Sequence, residues 1–343
     1  MKEINENSRI LITGATGQVG SYITRYLVKK GYKNISILKR KHSKIELLEP
    51  VLDQLNPVVG DVLDGSWCYD VVKDFDVIIH AAAQVTFDPK YKSQMFKNTV
   101  EGTTNLVNAA LEARDIKIVH ISSIAAIGRS KDNETIDESL TWKKSKFNTT
   151  YAISKFLAEQ EVWRGFAEGL QGFILNPSFV LGAGHWNKSS LQIVNKLASG
   201  LSYYPGGSNG FVDVRDIAKA AYLGIKEKIN HQRIIISSGN ESYKVVFDQI
   251  CANLDVPAPH KKLTKGIARI VWNIDKVRTL ITGKEALLTE ESFYSTSIIS
   301  NYVNEKSKET LGLEYIPIKK AIDDMTNCYR QTKNKGFGIL DFY

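Results

Sequence analysis

The 343-residue sequence predicts an α/β fold, a doubly wound parallel sheet of the Rossmann type followed by a smaller C-terminal lobe. Three observations predict it. Short apolar, β-branched runs alternate with segments of helical period through the first half of the chain. Those runs are apolar throughout rather than at every second position, as strands covered on both faces are. The first run ends in a glycine-rich turn that leads directly into a helix.

The elements follow in order. "RILITG" (Arg9 to Gly14) reads as a buried strand and "QVGSYITRYLVKKG" (Gln18 to Gly31) as a helix with a glycine suited to its C-cap. "NISILKR" (Asn34 to Arg40) is a second strand, and "SKIELLEPVLDQL" (Ser43 to Leu55) is expected to be helical despite Pro50. "PVVGDV" (Pro57 to Val62), "DVIIHAAA" (Asp76 to Ala83) and "IKIVHISS" (Ile116 to Ser123) are strands three to five, with a long helix at "TVEGTTNLVNAALEAR" (Thr99 to Arg114). "TTYAISKFLAEQEVW" (Thr149 to Trp163) is a helix, and "QGFILNPSFVLG" (Gln171 to Gly182) a sixth strand. Beyond Gly182 the alternation loosens. A core over residues 1–182, with return segments at about 211–240, and a mainly helical lobe from 183–210 and 241–343 are expected. "RIIISSG" and "SYKVVFDQICANL" are the strand and helix expected to return to the sheet. The lobe should lie over the C-terminal edge of the sheet, where such folds bind ligands.

Composition narrows the function. Hydrophobic residues make up 43% and charged residues 24%, ordinary for a globular chain. The net charge of +8 is spread over helix faces, with no arginine-and-aromatic stripe, so no nucleic-acid partner is expected. No run approaches the ~18–20 apolar residues of a membrane span, and no signal peptide is expected. Cys68, Cys251 and Cys328 sit at no metal-like spacing, so free thiols in a reducing, cytoplasmic setting and no metal are expected.

"TGATGQVG" puts Gly14, Gly17 and Gly20 at G-x-x-G-x-x-G spacing between strand one and its helix. The first glycine permits the tight turn, the second lets backbone approach a pyrophosphate, and the third lets the helix pack on the strand. The helix N-terminus then offers free N–H groups. Thr13, Thr16, Gln18 and Val19 complete the expected cofactor cradle. An acidic residue at the end of strand two would select NAD. Here stand Lys39, Arg40 and Lys44, and an arginine there can fork a 2′-phosphate, so NADP(H) is expected over NAD(H). Asp61 is placed to accept from the adenine amino group with Val62 beside the ring. Ala81, Ala82 and Ala83 leave room for the dinucleotide, or simply for close packing.

Tyr151 and Lys155 share one helix face at i and i+4. Strand five delivers Ser122 and Ser123 to the same edge as the cradle, and no G-x-S-x-G elbow makes either a nucleophile. A tyrosine hydroxyl can protonate a carbonyl oxygen as hydride arrives. Its free pKa of ~10 is too high for that work at neutral pH. A neighbouring ammonium and an oxidised nicotinamide are expected to lower it.

Together "TGATGQVG", "GDV", "HAAA", "NTVEGT", "ISSIAAIG", "YAISK" and "NPSFVLGAG" resemble the extended short-chain dehydrogenase/reductase superfamily, over roughly residues 8–240. The resemblance implies that Ser123, Tyr151 and Lys155 are the catalytic triad, that Asn98 braces the site, and that Pro177, Ser178 and Val180 flank the nicotinamide. Within the superfamily the helix "YAISKFLAEQEVW" is most similar to the dihydroflavonol and cinnamoyl reductases, and "FVDVRDIAKA" to the 3β-hydroxysteroid dehydrogenase branch. It further implies a homodimer with the Tyr-Lys helix at the interface.

The superfamily also contains nucleotide-sugar epimerases and dehydratases. They usually carry an acidic residue after strand two and an arginine just before the "FVDVRD" position, where this chain has Arg40 and then Asn209-Gly210. Dehydratases need an extra acid near the serine, and "ISSIAAIG" has none. A carbonyl reductase is therefore expected, with the epimerase as the alternative. A non-catalytic NADP-binding sensor is disfavoured because both the tyrosine and the lysine are present. A small-molecule carbonyl or alcohol pocket is expected from Val85, Ser123, Ala125, Asn176, Trp186, Tyr203 and Tyr204. The basic, Trp-bearing segment Lys265 to Phe293 should cover that pocket, with a membrane-surface role as its alternative and no stable insertion.

Overall fold

The computed structural model describes residues 3–83, 89–128, 135–145, 147–282 and 289–343. Ten strands of three or more residues run along the described part of the chain. They are β1 (Arg9–Thr13), β2 (Asn34–Lys39), β3 (Leu55–Val59), β4 (Val77–His80), β5 (Lys117–Ile121), β6 (Gln171–Pro177), β7 (Phe179–Leu181), β8 (Ser208–Asp213), β9 (Arg233–Ile236) and β10 (Gly239–Ser242). Seven form a central sheet in the order β9-β6-β5-β4-β1-β2-β3, every pair parallel. The strand order reverses beside β1, which opens a crevice between the C-terminal ends of β1 and β4, where Thr13 pairs with His80.

The main helices are α1 (Gln18–Lys29), α2 (Gly65–Val72), α3 (Gly102–Ala113), α4 (Thr150–Ala167), α5 (Val214–Lys226), α6 (Tyr243–Leu254), α7 (Lys265–Thr282) and α8 (Ile318–Thr332). Strand side chains alternate between two cores. Ile10, Ile12, Ile35, Ile37, Val119 and Leu175 pack with α1 and α5 on one face. Leu11, Ile78, Ile118 and Ile174 pack with α2, α3 and α4 on the other. That two-sided burial is why the strands read as unbroken apolar runs.

Four details differ from the sequence expectation. The segment expected as a helix from Ser43 to Leu55 is a 3₁₀ helix, Glu46–Gln54. Pro50 lies inside it and cannot donate an i→i−4 bond, so the chain takes the tighter turn while still burying Leu47 and Leu48. The sixth strand is two strands. After Pro177 the chain leaves the central sheet, and Phe179–Leu181 joins a separate sheet of order β10-β8-β7. The helix expected at Thr99 begins earlier, at Lys92–Phe96, and reaches α3 through a π-helical turn at Lys97–Glu101. Of the returning pair, β9 does join the sheet, but α6 packs against α8 and the helix Gln192–Ala198 instead.

The C-terminal segment is anchored to the sheet layer by buried polar contacts. Arg215, 5% exposed, bonds Asp213 at 2.7 Å and Asp324 of α8 at 2.7 Å. The Leu340 amide donates to the Tyr22 hydroxyl of α1 at 2.8 Å.

Candidate active site

The first turn is shaped by backbone. Gly14 has φ +70°, and a Cβ there would lie 2.6 Å from the Ala81 and Ala82 backbone. A Cβ on Gly20 would lie 2.2 Å from the Gly14 carbonyl oxygen, so the helix sits on the turn at a distance only glycine allows. Gly17 is the N-cap of α1 and has no side chain to close the helix end. Its own amide donates to Gly14 O at 2.9 Å, and no side chain caps the first amides of α1. Thr16, Gln18 and Val19 are half-buried around this turn.

The rim carries the charges. The Arg40 Nε lies 3.1 Å from Asp61 Oδ2, and Lys44 lies 3.7 Å from Glu46. Lys39 is half-buried at the end of β2. Asp61 also accepts from the Leu63 amide, and Val62 is buried against Gly102, where a Cβ would meet it at 2.7 Å. Ala81 and Ala82 are half-buried at the crevice, with Ala83 exposed beside them.

The end of β5 and the start of α4 form the other wall. Thr149 caps α4 by accepting from the Ala152 amide at 3.0 Å. Glu291, from the C-terminal segment, accepts from the Thr150 amide and hydroxyl at 2.7 and 2.6 Å. A carboxylate at a helix N-terminus is favourable for the helix dipole. α4 is thereby fixed at the end that carries Tyr151. Ser123 caps the short 3₁₀ turn Ile124–Ala126, accepting from the Ala125 amide at 3.1 Å, and hydrogen-bonds the Tyr151 hydroxyl. Lys155 is 3% exposed and donates from Nζ to Ile121 O at 2.8 Å. Asn98 lies in the π-helical turn, the kind of irregularity that recurs at functional sites.

The electrostatics differ from expectation. Burial pushes the Tyr151 hydroxyl above its ordinary value, and the Ser123 hydrogen bond opposes it only in part. Lys155 is itself desolvated, which pulls its pKa down to about 8, with Glu159 opposing. An ammonium this buried and already bonded to a carbonyl does not make Tyr151 acidic in the protein alone.

Two histidines underlie the wall. The Thr103 hydroxyl donates to Thr99 O at 2.6 Å, so its oxygen accepts from His80 Nε2–H at 3.0 Å, and His80 Nδ1 accepts from Thr13 at 2.7 Å. Burial lowers His80 to about 3 and His120 well below its usual value, so both are neutral.

The remaining expected residues divide. Asn176 is fully buried, with Nδ2 donating to Ser123 O at 2.9 Å and to Glu159 Oε2 at 2.8 Å. Pro177 ends β6, Ser178 is buried, and Val180 pairs with Val212 across to β8. Ala125 is half-buried beside Ser123. Tyr203 and Tyr204 pair with Lys261 and Lys262 and are half-buried. Trp186 is not a pocket wall. It is 1% exposed, edge-on to Tyr329, with Nε1 donating to Thr332 at 3.1 Å, so it is core beneath α8. Val85 lies outside the described residues.

Among the buried polar atoms of the described residues that lack a protein partner, three stand near the site: Gln18 Nε2 and Ser178 Oγ beside the expected cofactor path, and Asn176 Oδ1 under the serine turn. Such atoms are costly unless something bonds them. With the open helix end and the basic rim, they fit a nicotinamide dinucleotide. Sequence reasoning missed Thr149, Glu159 and Arg233. Only Glu159 had a signal, its i+4 spacing from Lys155.

A model of the NAD dependent epimerase/dehydratase family matches residues 10–236. Cinnamoyl-CoA reductase 1 of Petunia hybrida is 31% identical over 62% of this chain and 68% of its own. Cinnamoyl-CoA reductase CAD2 of Medicago truncatula is 27% identical over 97% and 99%. The crystal structure of gox2253 superposes with a TM-score of 0.80 at 28% identity, covering 95% of this chain and 98% of that one. The dTDP-glucose 4,6-dehydratase DesIV of Streptomyces venezuelae, solved with NAD and TYD bound, shares the fold at TM-score 0.77 and 19% identity, over 95% and 98%.

Proposed function

The chain belongs to the NAD dependent epimerase/dehydratase family, and we propose that within it this protein is an NADP(H)-dependent carbonyl reductase. The observation that carries the reading is the meeting of Ser123, Tyr151 and Lys155 at the end of β5, beside a glycine turn with an open helix end. The reductase relatives, 26–31% identical, support the reaction class.

Nicotinamide, when bound, supplies or accepts the hydride. Ser123 orients the substrate oxygen. Tyr151 delivers a proton to that oxygen, and its raised pKa keeps the phenol protonated at neutral pH, as reduction requires. Lys155 holds the positive charge that steadies the phenolate left behind. The amides of α1 and Gln18 hold the phosphates, Arg40 the 2′-phosphate, and Asp61 the adenine side. Ser178 and Val180 bound the nicotinamide end, and Asn98 braces the wall. Residues 183–210 and 241–343 cover the substrate. We further propose a cytoplasmic homodimer, in keeping with three buried free thiols.

Position 210 argues against the epimerase alternative. A Cβ on Gly210 would lie 2.6 Å from Ser237 Oγ and 3.0 Å from Ser178 Cβ, so a diphosphate-gripping arginine has no room there.

The test is a panel of aldehydes and ketones with NADPH and with NADH. Consumption of NADPH by at least one carbonyl class, with NADH slower, is expected. Tight NAD⁺ binding, no reductase turnover and activity on a nucleotide sugar would reverse the assignment.

A further inference from the structure

The helix that carries Tyr151 and Lys155 holds one more buried charged residue that the proposed reaction leaves unused. Glu159 is 1% exposed, one turn beyond Lys155. Its Oε2 accepts from Ser122 Oγ at 2.6 Å and from Asn176 Nδ2 at 2.8 Å. Its Oε1 accepts from Arg233 Nη1 at 3.2 Å and from Trp163 Nε1 at 3.4 Å. These partners lie at the end of β5, on β6, on β9 and on α4 itself. Burying a carboxylate is costly, and four donors are what make the position tolerable.

The arrangement bears on Ser123 by two routes. Ser122 is its chain neighbour, held by the shortest of the four bonds. Asn176 uses the same Nδ2 to bond Glu159 and the Ser123 carbonyl at 2.9 Å. The serine turn is thus suspended from this carboxylate, while its hydroxyl side faces Tyr151. The two consecutive serines divide the work, Ser122 inward to Glu159 and Ser123 outward to the tyrosine.

We propose that Glu159 is a positioning residue for the reaction, fixing the Ser122–Ser123 turn through Asn176 and standing as the acidic neighbour of Lys155 one turn along α4. The inference rests on the Ser-Tyr-Lys reading above. The titratable groups around Lys155 are Tyr151 and Glu159 on its own helix, and His80 and His120 on β4 and β5. Both histidines are neutral, so Glu159 is the charge that opposes desolvation of the lysine.

The experiment pairs a titration with kinetics on the full chain. Nitrogen-15 NMR of the lysine ammonium, assigned with Lys155→Met, reads the Lys155 midpoint without any substrate. Glu159→Gln should lower that midpoint. Where Glu159→Gln does not fold, as an unpaired Arg233 can cause, Ser122→Ala removes a single bond and tests the positioning route. With NADPH and 4-nitrobenzaldehyde, either variant should lose about tenfold to a hundredfold in kcat with little change in the KM for NADPH, as small misplacements do. Glu159→Asp should recover part of the loss. An unchanged Lys155 midpoint in folded Glu159→Gln, or unchanged kcat in Ser122→Ala, overturns the proposal. Tyr151→Phe is run alongside. If it keeps full activity, the Ser-Tyr-Lys reading has failed. If it is inactive while the Glu159 and Ser122 variants behave as wild type, only the present proposal has failed.

Discussion

The cradle at β1–α1 and the wall at β5–β6–α4 serve one crevice but are built in opposite ways. The cradle is backbone. Its three glycines stand within seven residues, and its critical distances are those at which a Cβ would collide, 2.2 Å at Gly20 and 2.6 Å at Gly14. The wall is side chains joined across long stretches of chain, Lys155 to Ile121 over 34 residues, Asn176 to Ser123 over 53 and Arg233 to Glu159 over 74. The cradle should therefore fail when an atom is added and the wall when one is removed.

The largest effect is expected from the smallest addition. Gly20→Ala drives a Cβ into the Gly14 carbonyl, where its three nearest neighbours are backbone atoms of Gly14 and Ala15 and no flexible side chain can yield. It should cost upwards of about 3 kcal/mol, seen as a much lower melting temperature and lost NADP⁺ binding. Gly17→Ala meets the same oxygen at 3.3 Å and should be far milder. Equal behaviour of the two would break the comparison.

On the wall, the pH profile comes next. In the protein alone Lys155 titrates at about 8, below its ordinary value because it is buried. The kcat/KM for NADPH should be level below that pH and fall up to tenfold per unit above it, as the ammonium is lost. A profile rising through pH 9 in the reductive direction would contradict the role given to Lys155.

Arg40→Asp should cost about tenfold to a hundredfold in NADP⁺ affinity while sparing NAD⁺, the scale of a charge-assisted bond to phosphate. Calorimetry on both cofactors reads it directly. Because the side chain is half-exposed and paired with Asp61, the protein should fold normally.

The smallest effect lies outside both regions. Burial raises Asp216 from 3.8 to about 7, against the bond its Oδ2 accepts from the Ile316 amide. The folded state thus holds this proton after the unfolded chain has released it. Its contribution is fully present below the unfolded value and is lost as pH rises towards 7. Asp216→Asn should flatten that decline in melting temperature between pH 4 and 7 and leave turnover unchanged.

What was legible in the sequence divides along the same line. The first five strands and the glycine spacing depend on a few consecutive residues, and the structure has them close to where they were expected, while Tyr151 and Lys155 fall one turn apart on α4 as their spacing implies. Only its i+4 spacing from Lys155 marked Glu159 in the sequence, because three of its four partners, Ser122, Asn176 and Arg233, reach it only through the β5-β6-β9 order of the sheet. The break at Ser178 was hidden because β6 and β7 are both apolar, and only their different sheet partners separate them. Trp186 looked like a pocket aromatic and is core because α8 covers it, a contact with the far end of the chain. Desolvation of the Tyr151 hydroxyl in the protein alone is equally hidden, because a neighbouring ammonium is easily read from sequence and burial is not.

The most direct measurement is Tyr151→Phe, with NADP⁺ affinity by calorimetry and carbonyl reduction taken from one preparation. The substitution removes a single oxygen from the wall and touches nothing in the cradle. Turnover should fall by about 10²–10⁴-fold, the usual worth of a general acid, while affinity stays within about threefold. Full turnover in the variant would contradict the account and remove Tyr151 from the chemistry.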